Sequence, residues 1–149
     1  MKIEEIWKDA VGYEGLYQVS NLGRVKSLNY KRTDNERILK PVLTRGYYSI
    51  GLCKNGKCKR SYVHKLVVEA FLGKISNGLV VNHLNEIKSD NRLENLEICT
   101  QKENINYGTC KARISESLRG ENHPRFGKKL SEEHKRKLSE AYSQKRREA

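Results

Sequence analysis

The stretch from Val80 to Ile105, VVNHLNEIKSDNRLENLEICTQKENI, begins and ends apolar, yet it places asparagine at positions 82, 85, 91, 95 and 104. Its segments LVVNH and LEICT predict two short buried strands, joined by the polar loop LNEIKSDNRLEN. TQKENINY then predicts a helix with Thr100 as its N-cap. The order is strand, long loop, strand, helix. Asn and Asp side chains bond the backbone two residues on and accept turn conformations, which accounts for Asn85, Asp90 and Asn91. The same account serves Asn82, Asn95 and Asn104 poorly, because these fall at strand ends or inside a helix, where asparagine is disfavoured.

Upstream of this stretch, HKLVVEAFLG (64–73) carries apolar residues at Leu66, Val67, Ala70 and Phe71, a helical stripe that stops on glycine. The spacing predicts a core helix, with His64 at its start as a structural hydrogen-bonding residue. Further upstream, LYQVSNLGRVKSLNY reads as two strands about a turn at Asn21, Leu22 and Gly23, and YYSIGLCKNGKCKRSYVH as a second hairpin turning at Asn55-Gly56. Their outward residues include Arg24, Lys26, Lys54, Lys57, Lys59 and Arg60. A basic two-stranded ribbon can enter a major groove, and such residues equally form an ordinary solvated sheet face.

Charge points to the partner. The 149 residues hold 30 Lys and Arg against 18 Asp and Glu, a net +12, which implies a polyanion. Nucleic acid is favoured over a membrane, since no apolar run reaches the roughly 18 residues needed to span a bilayer. The charge is uneven: residues 1–107 hold 18 basic and 12 acidic side chains, and residues 108–149 hold 12 and 6. Each part nets +6, so the last 42 residues are more than twice as densely charged. A boundary near Gly108 is expected. A hydrophobic content of 36% is thin for a compact globule of this length and predicts an extended part.

Cys53, Cys58, Cys99 and Cys110 are spaced C-x4-C and C-x10-C at their closer intervals, not as zinc pairs, so no structural zinc is expected. Cys53 and Cys58 flank the KNGK turn and should face one another across the hairpin as small apolar residues. The start, MKIEEIWKDA, lacks the apolar core of a secretion signal, and a cytoplasmic, reducing setting is the expectation.

After Gly108, KARISESL and KRKLSEAY align at an offset of 24, separated by the Gly- and Pro-punctuated RGENHPRFGKKLSEEH. Ser131 is a suitable N-cap, with Glu132 and Glu133 in the first turn. The helix that follows has only a narrow apolar stripe (Leu138, Ala141, Tyr142), too little to anchor it on a core.

Three segments carry a family likeness: EIWKDAVGYEGLYQVSNLGRVKSL, then VHKLVVEAFLG with GLVVNHLNEIKSDNRLENLEICTQKEN, then GENHPRFGKKLSEEHKRKLSEA. In that order they resemble the HNH endonucleases of the ββα-metal fold, and among them the small homing-type nucleases of phage introns and mobile elements. The resemblance implies an α+β fold in three parts. These are antiparallel β hairpins forming an N-terminal DNA-binding module (1–45), a central ββα-metal HNH nuclease core (46–107), and an extended helical tail of basic DNA-binding repeats (108–149). It implies His83 as general base, Asn95 as the asparagine bracing the loop that holds it, and Asn82 and Asn104 as the two protein ligands of one divalent ion, Mg²⁺ or Mn²⁺. Position 82 is often aspartate in relatives, so this chain brings one negative charge fewer to that ion. The expected partner is double-stranded DNA, bound by a monomer, with Arg24, Lys26, Lys54, Lys57, Lys59, Arg60, Arg125, Lys128, Lys129, Lys135 and Arg136 on its phosphates. The expected setting is a bacterial or phage-infected cell.

Elementary chemistry agrees with those roles. Cutting a phosphodiester needs a proton acceptor for water, charge stabilisation on the phosphorane and a stabilised 3′-oxygen. An imidazole with a pKa near ~6.5 suits the first task, and amide oxygens suit a hard ion. The implied activity is a site-specific, metal-dependent DNA endonuclease that nicks one strand. The rivals are a DNA-binding protein whose nuclease centre has decayed and an RNA-binding module.

Overall fold

Residues 4–30, 33 and 35–147 are described by the computed structural model. They divide at Gly108 into two compact units, residues 1–108 and 109–149.

Among its described residues the first unit contains three antiparallel sheets, two α-helices and a short 3-10 turn. In its N-terminal sheet, β1 (Trp7–Asp9), β2 (Tyr17–Ser20), β3 (Val25–Ser27) and β4 (Arg37–Ile38) pair in chain order. Gly23, at φ +79°, makes the β2–β3 turn at the predicted position. The second sheet joins β5 (Val42–Thr44), β6 (Tyr47–Lys54) and β7 (Lys57–Tyr62), and β6 and β7 form the predicted hairpin. Asn55 (φ 52°) and Gly56 (φ 74°) both occupy the left-handed region that a two-residue turn between right-twisting strands requires. Cys53 and Cys58 lie opposite one another, as the hairpin demands, but as exposed residues joined by a disulfide. The expectation of two small apolar thiols is therefore corrected: with Cα atoms 4.0 Å apart in direct cross-strand register, the sulfurs reach bonding distance.

Helix α1 (Val63–Phe71) packs against β2, β6, β7 and β9 (Leu96–Thr100). Its buried face, Val63, His64, Leu66, Val67 and Val68, meets Ala10, Val19, Val25, Ile50, Leu52 and Leu96 in one core. Each such aliphatic side chain contributes about 1.5–3 kcal/mol when fully buried. Because the N-terminal sheet and the later elements share this core, the two are packed as one body. The third sheet pairs β8 (Leu79–His83) with β9 in the register Asn82↔Glu97 and His83↔Leu96. Helix α2 (Gln101–Asn106) follows directly and packs on both strands. Thr100 caps it with a reciprocal capping box to Glu103, which satisfies two backbone donors of the first turn.

The second unit consists of α3 (Cys110–Ser117), a short 3-10 turn at Gly120–Asn122 and α4 (Glu132–Arg147). Ser131 Oγ accepts the His134 N–H at 3.3 Å, the predicted cap. Of the narrow apolar stripe on α4, Leu138 and Tyr142 are exposed, and the Ala141 side chain lies outside the described residues. No helix among the described residues is long and apolar enough to cross a membrane.

Candidate active site

The β8–loop–β9–α2 segment sets the geometry. Asn82 and His83 end β8 and are both buried, at 7% and 6% exposure. Adjacent strand residues ordinarily face opposite sides. Both are covered here because the chain leaves the strand at Leu84, and Asn95 O accepts the Leu84 N–H at 2.9 Å. Asn95, 6% exposed, closes a short 3-10 turn (Leu93–Asn95). Its side chain accepts from Asn85 N and donates to Asp90 O, each at 2.9 Å, so the start and the middle of the polar loop are tied to the amide at its end.

Within that loop the other polar residues act locally. Asn85 Oδ1 accepts from Ile87 N at 2.9 Å, and Asp90 gathers Asn85 Nδ2 and two guanidinium nitrogens of Arg92. These bonds, Arg92 first, hold the Asp90 carboxyl down to about 2.

His83 belongs to a cluster of four rings. Its ring centroid lies 5.2 Å from His64, edge to face, and 5.9 Å from Tyr47. Tyr62 stacks on His64 at 5.5 Å, and Lys88 Nζ sits 5.1 Å from the Tyr47 ring centre. Burial pushes the His83 imidazole below its ordinary pKa and the Lys88 charge adds to this, while the Asn91 side chain and the Asp90 charge oppose it. The His64 imidazole is driven further, to about 4, by burial first and then by His83 and Lys65. His64 was expected to be a structural hydrogen-bonding residue. Instead its Nδ1 is buried without a hydrogen-bond partner, and ring contacts hold it.

Asn104 is half-buried on α2. The side-chain amides of Asn82 and Asn104 make no hydrogen bond among the described residues. Nor do any three His, Cys, Asp or Glu side chains gather there in a group able to hold a metal. What Asn82 and Asn104 can offer is neutral amide oxygens, hard ligands that fit a divalent ion of the magnesium kind but hold it weakly without an added anion.

Three segments of this chain match known family patterns: residues 5–53 the NUMOD4 motif, residues 61–105 the HNH endonuclease family, and residues 109–141 the NUMOD3 motif. The DNA endonuclease I-HmuI of Bacillus phage SP01 is 46% identical over 99 residues, covering 66% of this chain and 55% of that protein. In a solved structure described as DNA binding and cleavage by the HNH homing endonuclease I-HmuI, the fold matches with a TM-score of 0.62 and 34% identity, over 91% of this chain and 66% of the other. The chain belongs to the HNH endonuclease family. An HNH endonuclease of Acanthamoeba polyphaga mimivirus is 36% identical over 138 residues, 88% of this chain and 33% of that protein. The chain thus spans about half or less of the length of these two curated relatives.

The HNH segment brings Asn82, His83, Asn95 and Asn104 into one ββα arrangement. The basic residues expected on DNA fall into different situations. Arg24 is paired with Glu5 and lies over Trp7; Lys26 bonds Glu36 at 3.0 Å and also lies over Trp7, so neither is a free cation. Lys54 donates to Gly12 O at 2.7 Å, while Lys57, Lys59 and Arg60 are exposed along β7. In the second unit, Arg125, Lys128 and Lys129 line a shallow cleft with Ser131 and His134, and Lys135 and Arg136 pair with Glu132 and Glu140. Sequence reasoning missed Tyr47, Lys88 and Asn91 beside His83, and Tyr62 as the ring that stacks on His64. Nothing local marks Tyr47, Tyr62 or Lys88, and the turn chemistry of Asn91 concealed its second role.

Proposed function

We propose that this chain is a divalent-metal-dependent endonuclease that hydrolyses a phosphodiester bond of double-stranded DNA, acting as a monomer and nicking one strand. The observation that carries the reading is His83, a buried imidazole biased toward its neutral form at the end of β8, next in the chain to Asn82 and on a strand against which the helix carrying Asn104 packs. A neutral imidazole can accept the proton of an attacking water near pH 7. Asn95 keeps the loop after His83 closed, and the Tyr47, Tyr62 and His64 rings exclude water behind it, so the base is held in one place. Asn82 and Asn104 would hold the ion by their amide oxygens. When bound, Mg²⁺ or Mn²⁺ supplies charge to the phosphoryl oxygens and to the 3′-oxygen that leaves. The DNA phosphate then adds the negative charge that the two amides lack, so ion and substrate should bind cooperatively.

Exposed Lys57, Lys59 and Arg60 in the first unit, and Lys128 and Lys129 in the second, supply cations for DNA phosphates. One relative comes from a phage of Bacillus, and the cytoplasm of a phage-infected or bacterial cell is the expected place of action. One active centre per chain favours a single-strand cut.

Strand-resolved cleavage of plasmid and of a fragment library with Mg²⁺ or Mn²⁺ tests the reading. Nicked product from wild type, none from His83→Ala, and unchanged DNA affinity of that variant are expected; equal behaviour of the two proteins rejects it. A second reading, a DNA-binding protein with a decayed centre, is favoured by the lack of any carboxylate among the residues proposed to hold the ion. Binding without cleavage under every divalent ion, persisting in Asn82→Asp, would select it.

A further inference from the structure

Among the described residues three buried side-chain polar atoms lack a hydrogen-bond partner: His83 Nε2, Asn91 Oδ1 and, in the neighbouring ring, His64 Nδ1. The first two are linked: against the fall in pKa that burial imposes on His83, the Asn91 side chain is the hydrogen-bonding group that pulls it back up. Asn91 Nδ2 is already committed to Ser89 O at 3.2 Å, so its oxygen is the part left over. An amide oxygen only accepts, whereas a ring nitrogen of neutral imidazole donates or accepts according to tautomer. The complementary pairing is Nε2–H to Oδ1. Unpaired buried polar atoms are costly, and a bond between these two satisfies both at once. Bonds of this kind are often long in ligand-free enzymes and tighten with substrate.

We propose that Asn91 is a positioning residue for His83: its Oδ1 takes the Nε2–H, fixes the imidazole in that tautomer, and leaves the Nδ1 lone pair to receive the proton of water. The role of the lone pair rests on the nuclease reading; the pairing itself does not.

Asn91 is in turn seated by the N-terminal sheet. Gly23 approaches so closely that a Cβ there would lie 2.8 Å from Asn91 Cβ and 2.9 Å from Asn91 O. Beside it, Asn21 O accepts the Leu93 N–H at 2.8 Å. The β2–β3 turn therefore clasps the loop that carries Asn91, and Gly23 is required both for its positive φ and for this approach. A step in the N-terminal sheet is passed through Asn91 to the base.

Two-bond proton–nitrogen correlation spectra of the full-length protein without metal read the His83 tautomer directly. Wild type should show Nε2–H, Asn91→Asp should keep it by supplying the same acceptor, and Asn91→Leu should lose it. His64→Phe, which removes the other orphaned ring nitrogen nearby, should leave the tautomer unchanged. In single-turnover cleavage of duplex DNA, Asn91→Leu should slow the chemical step on the order of 100-fold with DNA affinity unaltered. Asn91→Asp should recover most of that loss, and Gly23→Ala should slow the same step through displaced Asn91. An Nδ1–H tautomer in wild type, or a wild-type tautomer in Asn91→Leu, overturns the pairing. Should no protein in the series cut DNA, the nuclease reading falls while the spectra still decide the Asn91 bond.

Discussion

Asn95 Oδ1 accepts the backbone N–H of Asn85 at 2.9 Å while its Nδ2 donates to Asp90 O at 2.9 Å, so one side chain spans the loop that follows the proposed base. Replacing it by the near-isosteric leucine removes both bonds and leaves a part-buried N–H and carbonyl unpaired. Asn95→Leu should lose about 2–4 kcal/mol of stability, read by urea unfolding. Cleavage should fall further than this unfolding explains, because the loop no longer holds its path beside His83. An Asn95→Leu protein as stable as wild type would remove the bracing role.

His64 sets a pH window. Its ordinary value is 6.5 and burial lowers it in the folded chain to about 4, so the unfolded chain takes up the proton first. The stability that depends on a neutral His64 is complete above 6.5 and declines as pH falls from 6.5 to about 4, by about 2–3 kcal/mol at most. Unfolding free energies measured across that range should show the decline, and His64→Phe should flatten it.

A second window lies lower. The bonds from Arg92 and Asn85 hold the Asp90 carboxyl at about 2 against an ordinary 3.8, so its contribution persists above 3.8 and is lost as pH falls from there to about 2. With the side chain 18% exposed, about 1–2 kcal/mol is at stake. Carboxyl titration followed by NMR should place Asp90 near its ordinary value in Arg92→Ala and leave the His64 window in place.

Thr100 caps the helix that carries Asn104. Thr100→Ala breaks the capping box with Glu103 and should cost about 1 kcal/mol, measured by thermal unfolding. Because α2 has only six residues and none is fully buried, its first turn should loosen before the core does. The apparent affinity for Mn²⁺ in the presence of DNA should weaken together with it.

Much of this chain was legible as a sequence wherever the cause of structure is local. The Asn55-Gly56 turn, the glycine turn at Gly23, the Thr100 cap and the strand, loop, strand, helix order each depend on a few consecutive residues and their backbone preferences. Cys53 and Cys58 mark the edge of that legibility: the hairpin placed them opposite each other, but only the 4.0 Å approach of their Cα atoms made them a bonded pair.

Tertiary structure alone decided what surrounds His83. His64 comes from α1, Tyr47 and Tyr62 from the second sheet and Asn91 from the loop, and Gly23 reaches Asn91 from the N-terminal sheet. Periodicity and turn signals report how each segment folds on itself. They carry no information on which buried atoms meet once Leu52, Val67 and their neighbours close a common core, and that meeting sets the ring environment, the protonation bias and the orphaned pair at this site.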